Sequence, residues 1–273
     1  MKSRTTEAGK REESWQRGEV RTVAFVDILG FAEEVRRLAR RPAGFPKVVR
    51  ALLGGSAVAT EPSGAENDVL SILASQEGGE RYEMDLQFAF FSDCTYVSAR
   101  SVPGGTDKVL SIVLGYARYL LMKGLFVRGG IARGLAAHRG GMVVGPAILA
   151  AYSMEQKVAI FPRIVVEDAI ASELLLIDDG PNPTATLRRG EDGLYFVDVL
   201  TTLGLRADGE VVLKRAGKLI VERLAKRHSL DIEAKWRWLA AQYNRAVRSV
   251  ARKGKEVLPP IERPGVVELP DGP

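Results

Sequence analysis

The chain has 273 residues, a length that fits one decorated domain or two modest ones. Its apolar fraction of 46% excludes a mainly disordered protein, and no uninterrupted apolar stretch is long enough for a transmembrane helix. A single cysteine, Cys94, excludes a disulfide framework and a multi-cysteine zinc site, and two histidines disfavour a histidine-rich metal site. The N-terminal residues are charged and lack the apolar core of a secretory signal, so we expect a cytoplasmic protein.

The net charge of +5 is concentrated near the C-terminus. Residues 214–256 carry 13 basic and 4 acidic side chains, and the rest of the chain is slightly acidic. The overall basicity is therefore poor evidence that the main domain binds nucleic acid. For the basic segment, a phosphate-rich partner or an acidic membrane surface stays an open alternative to the simpler interpretation, a solvated helical face.

Hydrophobic patterning predicts alternating strands and helices. Short apolar runs rich in β-branched or aromatic residues predict strands at 22–29, 86–91, 95–99, 126–133, 141–144, 163–166 and 195–200. Helical spacing or composition predicts helices at 31–39, 48–53, 108–123, 146–157, 167–175, 209–227 and 232–252. The polar stretches predict loops at 54–79, where some helix is also expected, and at 178–191.

The β-α-β-β-α-β order predicts an α+β fold of ferredoxin type, with helices packed on one face of a sheet and extra C-terminal helices. The two strands around residues 92–94 are expected to form a hairpin with a polar tip. We expect four parts in the chain: a mobile tail at 1–20, a main domain at 21–202, a basic helical extension at 203–258 and a proline-rich tail at 259–273.

Two carboxylates occupy positions that call for an explanation. Asp27 interrupts an apolar run that should be buried, where an unpaired carboxylate costs several kcal/mol. Asp93 lies at the tip of the hairpin, so both carboxylates reach the same sheet edge if the first strand lies beside it. Carboxylate oxygens suit Mg²⁺ or Mn²⁺, and the helix start after Gly30 suits an anion. The simpler alternatives are a helix N-cap for Asp27 and turn chemistry for Asp93.

Four segments in this order resemble the class III nucleotidyl cyclases, the adenylate and guanylate cyclase homology domain. They are Phe25–Phe31 (FVDILGF), Phe91–Asp93 (FSD), Val127–Gly134 (VRGGIARG) and Gly145–Tyr152 (GPAILAAY). The resemblance covers roughly residues 21–170 and implies the cyclase fold, a nucleoside triphosphate substrate, two divalent cations (Mn or Mg) and a homodimer with sites at the interface.

Some family positions are altered. The family's ribose-binding Asn and transition-state Arg fall at Leu149 and Ser153, and its adenine-selecting Lys falls near Ala89. Together with the segments FSDC, GPAILAAYSMEQ and PRIVV, these departures make the chain resemble the stand-alone pyrimidine cyclases of bacterial Pycsar antiphage systems. That resemblance implies synthesis of cUMP from UTP or cCMP from CTP, and an effector that the cyclic nucleotide activates during phage infection.

The resemblance assigns a role to each candidate site residue. Asp27 and Asp93, with the Ile28 carbonyl, would bind the cations, and the backbone of Leu29, Gly30 and Phe31 would bind phosphate. A cation must replace the missing transition-state Arg, and the candidates are Arg128, Arg133, Lys157 and Arg163. Phe25, Tyr96 and Tyr152 complete the expected substrate site, although a core position is the simpler interpretation of either tyrosine.

Arg128 and Arg133 are five residues apart on one strand, so only one of them can face the site. Three alternatives to a pyrimidine cyclase stay open. They are an adenylate or guanylate cyclase with atypical base contacts, a catalytically silent cyclase-like regulatory module, and a nucleic-acid binder that uses the basic helices. The last one lacks any readout motif. Cys94 is interpreted as a semi-buried thiol, because no histidine is near it in the sequence.

Overall fold

The computed structural model describes residues 18–32, 35–36, 40, 84–139, 141–177, 187–254, 258–262 and 265–266. Of the helices expected from the sequence, the one at 48–53 lies outside the described residues, as does the loop at 54–79. The helix expected at 31–39 is helical at each of its described residues, 31–32 and 35–36. Among the described residues, no helix combines the length and the apolar character needed to cross a membrane.

In the first half of the described chain, the elements are β1 (Glu19–Ile28), β2 (Gln87–Phe91), β3 (Cys94–Arg100), α1 (Gly105–Met122), β4 (Val127–Arg139), β5 (Met142–Val144) and α2 (Pro146–Ser153). With the helical residues 31–32 and 35–36 after β1, the stretch from β1 to β4 has the expected βαββαβ order. A π-helical segment, Met154–Val158, continues α2. The strand order β2-β3-β1-β4, all antiparallel, confirms the ferredoxin-like α+β fold.

The second half extends the sheet and adds helices. Its elements are β6 (Ile164–Val166), α3 (Asp168–Ile177), β7 (Leu187–Arg189), β8 (Tyr195–Val197), α4 (Val199–Gly204), α5 (Gly209–Leu224) and α6 (Leu230–Arg252). β6 pairs in parallel with β4, and β8 and β7 follow it in antiparallel order. Two expectations were incomplete: β7 lies within the stretch predicted as a loop, and α4 occupies the end of the strand predicted at 195–200.

Helices cover both faces of the sheet, whereas the sequence predicted helices on one face. β1 is buried along almost its whole length, so alternate side chains point into two separate cores. Ala24, Val26 and Ile28 pack with α1 and α3, whereas Val23 and Phe25 pack against α2. A continuous apolar strand without polar alternation is typical of a strand covered on both sides.

The C-terminal helices share a core with the sheet domain. Residues of α4, α5 and α6 form one apolar cluster that also includes Leu121 of α1 and Phe126 just before β4. Leu213 is 1% exposed at the centre of this cluster. The basic side chains Lys214 and Lys218 lie on the exposed side of α5, so this part of the basic segment forms an amphipathic layer with its apolar side inward.

We expect Leu213→Ala to lower the free energy of unfolding by about 2–5 kcal/mol, because it leaves a cavity in this shared core. Val211→Ala on the same helix is the matched control, since Val211 is 57% exposed and its loss should change stability by less than about 0.5 kcal/mol. Urea denaturation of both variants measures the difference. Equal, small effects would show that the C-terminal helices do not share a core with the sheet.

Candidate functional site

The site lies where β1 ends beside the β2–β3 hairpin. In β1, Asp27 is paired with Cys94 of β3 on one side and with Arg128 of β4 on the other. Ser92 and Asp93 form a two-residue turn between β2 and β3, and Ser92 has a positive φ of 56°. The amide of Ile28 donates to the Asp93 carbonyl at 3.2 Å, which ties the turn to the end of β1. Pairing within the sheet therefore brings together two carboxylates that lie 66 residues apart in the sequence.

Three potential ligand atoms, one each from Asp27, Asp93 and Cys94, lie within 4.8 Å of one another. The Cys94 thiol lies 3.8 Å from Oδ1 of Asp27 and 3.8 Å from Oδ1 of Asp93. Burial and the two neighbouring carboxylates raise the pKa of Cys94 to about 12, so the thiol stays protonated when no cation is present. Carboxylate oxygens are then the effective donors, and such a donor set fits Mg²⁺ or Mn²⁺ better than zinc.

Two further charged groups contact the cluster. Arg128 Nε lies 3.1 Å from Oδ2 of Asp27 and 2.5 Å from Oε1 of Glu155. Glu155 lies in the π-helical segment and is completely buried. Sequence reasoning missed Glu155, because a single acidic residue near a helix end gives no signal of burial. Glu155 was detectable only through the packing of the helix end against β4.

The electrostatics of the cluster favour a bound cation. Burial raises the pKa of Asp27, and the Asp93 charge adds to the increase, while Arg128 partly opposes it. Burial likewise raises the pKa of Glu155, with a further increase from Asp27. Among the described residues, Arg128 pairs with two of these three carboxyl groups, Asp27 and Glu155. A divalent cation between Asp27 and Asp93 would relieve the repulsion between them.

The structure separates the two arginines of β4, as the five-residue spacing predicted. Arg128 faces the carboxylates, whereas Arg133 lies on the opposite face and forms an ion pair with Glu173 of α3. Arg133 therefore does not reach the cluster. Arg163 is also removed from it, since its buried side chain pairs with Asp192, and Lys157 is exposed in the π-helical segment.

The expected phosphate-binding turn is only partly available. The amide of Leu29 donates to the Phe126 carbonyl at 2.9 Å, so it cannot also donate to a phosphate. Phe31 is buried in the core between the sheet and α1. Gly30 is exposed with a φ of 72°, a left-handed conformation that glycine adopts without strain.

The three expected aromatic residues form one cluster beside the carboxylates. The Phe25 ring lies 4.7 Å from that of Tyr96 and 5.3 Å from that of Tyr152, measured between centroids. Phe25 is only 2% exposed and so has almost no surface for a ligand. Tyr152 is exposed on α2 and Tyr96 is half-buried, so these two rings retain accessible surface near Asp27.

Known proteins provide little information about the function of this site. No protein-family model matches the chain, and no curated protein matches it. The chain is similar to the solved catalytic core of a rhodopsin-guanylyl cyclase with converted specificity, in complex with ATPalphaS. The identity is 16%, the match covers 66% of this chain and 95% of that one, and the TM-score is 0.32. A TM-score this low supports no conclusion about fold or function, which therefore depend on the residues themselves.

Asp27 provides a pH test of this cluster. Because its pKa is raised above 3.8 in the folded protein, the stability that it contributes is present at low pH and is lost as the pH rises through the folded-state pKa. We therefore expect Asp27→Asn to raise the melting temperature at pH 7 in EDTA and to flatten the dependence of stability on pH. Differential scanning calorimetry measures both effects.

Asp192→Asn is a control of opposite sign. A hydrogen bond from Arg163 lowers the pKa of Asp192, so loss of that carboxylate should lower the melting temperature at pH 7. If Asp27→Asn also lowered the melting temperature at pH 7, burial would not be the largest influence on the pKa of Asp27.

Proposed function

We propose that the chain is a metal-dependent nucleotide cyclase that uses a pyrimidine nucleoside triphosphate, UTP or CTP. The observation that carries this proposal is the convergence of Asp27 and Asp93 at one sheet edge, with Arg128 beside them. A divalent cation held there would supply positive charge next to the attacking oxygen and the phosphates. The family resemblance in the sequence adds the reaction class, and it suggests two such cations with the Ile28 carbonyl as a further ligand.

The proposed reaction forms one bond and breaks another at the α-phosphorus. The ribose 3′-oxygen attacks that phosphorus in line and loses its proton to solvent, and the bond to the bridging oxygen of the β-phosphate breaks. The products are a 3′,5′-cyclic nucleotide and pyrophosphate. Asp27 and Asp93 would position the cations, and Arg128 would neutralise charge that develops on the phosphates.

The preference for a pyrimidine is supported by three positions at which this chain departs from the residues that the family resemblance leads us to expect. Ala89 stands where the resemblance places the adenine-selecting Lys, and its side chain is buried without any polar group. Leu149 and Ser153 replace the ribose-binding Asn and the transition-state Arg. The resemblance further suggests that cUMP or cCMP acts as a messenger that activates an antiphage effector. A silent regulatory module is the alternative, and the assay below distinguishes it.

We expect Asp27→Ala and Asp93→Ala each to lower cyclic-nucleotide synthesis at least 100-fold, because each removes a cation ligand from the site. The assay supplies Mn²⁺ with UTP, CTP, ATP or GTP and identifies the product by mass spectrometry. The wild type should favour UTP or CTP.

Asp168→Ala is the matched control, because Asp168 is exposed at the start of α3 and should leave activity unchanged. Synthesis retained by either site variant would exclude this site. A wild type without product from any triphosphate would favour the silent module, and a preference for ATP or GTP would favour a purine cyclase.

A homodimer is the second part of the proposal. Leu149 is 67% exposed on α2, and Tyr152 lies three residues further on the same helix face. Phe91 is exposed on the same side of the sheet, beside Cys94. Large exposed apolar side chains grouped next to a charged site are typical of an interface, and the family resemblance suggests that a second copy contributes further substrate contacts across it.

We expect Leu149→Glu to convert a dimer into a monomer, because it introduces a charge into the apolar centre of the interface. Leu230→Glu is the matched control, since Leu230 is 84% exposed at the start of α6, away from this surface. Size-exclusion chromatography with light scattering measures the mass of each protein. A wild-type monomer, or a dimer that both variants retain, would contradict this arrangement.

A further inference from the structure

Glu155 is a completely buried carboxylate whose ion-pair partner within the described residues is Arg128. Gln156 Nε2 also donates to Oε2 of Glu155 at 2.6 Å. Burying a charged pair usually gains little net stability over apolar side chains of similar volume. The pair is therefore better explained by what it does to the position of Arg128 than by its contribution to folding.

The backbone around Glu155 turns this side chain toward Arg128. The amide of Ala159 donates to the Met154 carbonyl at 2.7 Å, the five-residue spacing of a π-helical turn. A Cβ atom at Gly130 would lie 2.4 Å from the Ala151 carbonyl oxygen, so the helix end rests directly on the backbone of β4. Gly130 and Arg128 are two residues apart and belong to the same face of the strand.

Arg128 is fixed at one end of its guanidinium. Nε donates a hydrogen bond to Asp27 and forms an ion pair with Glu155, whereas Nη1 and Nη2 make no hydrogen bond within the described part of the chain. The side chain is 21% exposed, so these two nitrogens retain access to solvent. An arginine anchored through Nε presents the Nη edge, the donor pair that phosphate oxygens accept.

We propose that Glu155 is a positioning residue that holds Arg128 so that its Nη edge faces the polyphosphate of the substrate. The inference rests on the proposed cyclase function and deepens it. When Asp27 binds a cation, its attraction for Arg128 weakens, and Glu155 becomes the main anchor of the guanidinium. Because Glu155 itself is buried, it touches neither substrate nor cation and acts only through Arg128.

A double-mutant cycle tests this coupling with a readout that does not need turnover. Glu155→Gln, Arg128→Gln and the double variant are titrated with inorganic pyrophosphate in the presence of Mn²⁺ by isothermal calorimetry. We expect each single change to weaken pyrophosphate binding about tenfold, and the double variant to bind no more weakly than Arg128→Gln alone. Where turnover is measurable, kcat should follow the same pattern while KM for the nucleoside changes little.

Asp198→Asn is the matched control, because it also removes the acid of a buried pair, here with Arg188, outside the site. It should lower the melting temperature and leave pyrophosphate binding unchanged. Normal binding in Glu155→Gln, or a double variant that shows the two single effects added together, would overturn the positioning role. If Glu155→Gln does not fold, Arg128→Lys replaces it: binding as tight as that of the wild type would overturn the proposal.

The proposed function and this inference fail in different ways. If the mutant cycle shows the expected coupling in pyrophosphate binding but the wild type cyclises no triphosphate, the positioning role is supported and the cyclase proposal is contradicted. If the wild type cyclises UTP or CTP but the cycle shows no coupling between Glu155 and Arg128, the cyclase proposal is supported and the positioning role is contradicted. A wild type that does neither overturns both.

Discussion

The register of β1 between β3 and β4 is the constraint on which the site depends. It places Asp27 directly opposite Cys94 on one side and Arg128 on the other. Because side chains alternate along a strand, a slip of one residue would move Asp27 to the face of α1 and into its apolar core. The buried residues of β1 fix the register, so the same hydrophobic pattern that folds the sheet also aligns the carboxylates.

The buried carboxyl groups of the site lower the stability of the folded protein, whereas the apolar core around them raises it. Burial raises the pKa of both Asp27 and Glu155, which means that the folded protein holds these groups in an environment that disfavours their charge. Groups with such perturbed titration are frequent at functional sites, where a ligand or ion completes the charge balance. Among the described residues, the arginine that pairs with this cluster is Arg128, beside the three carboxyl groups of Asp27, Asp93 and Glu155. This excess of negative charge favours a divalent cation as an occupant, with a polyphosphate bound to it.

The sequence predicted those parts of the fold that depend on local patterning. The apolar run around Asp27, the hairpin at Asp93 and the helix after it were recognisable because each has its own periodicity or turn chemistry. The opposite faces of Arg128 and Arg133 followed from their spacing alone. Two carboxylates at one edge were predicted because adjacent strands bring their ends together.

Other features depend on packing between distant segments and so had no local signal. The second helix layer, β7 and α4 were missed for this reason, since short amphipathic stretches take their form from the surfaces they meet. The amide of Leu29 was expected to bind phosphate, but its partner is the Phe126 carbonyl, nearly a hundred residues away. Glu155 was missed because its burial arises where the end of the helix packs against β4, and a single acidic residue near a helix end gives no local signal of that contact.

Anomalous diffraction from crystals soaked with Mn²⁺ and a non-hydrolysable pyrimidine triphosphate tests the central claim most directly. We predict an anomalous peak between the carboxylates of Asp27 and Asp93. We also predict that phosphate oxygens lie against the Nη edge of Arg128. A triphosphate bound elsewhere, with no anomalous peak at Asp27 and Asp93, would contradict the assignment of this sheet edge as the active site.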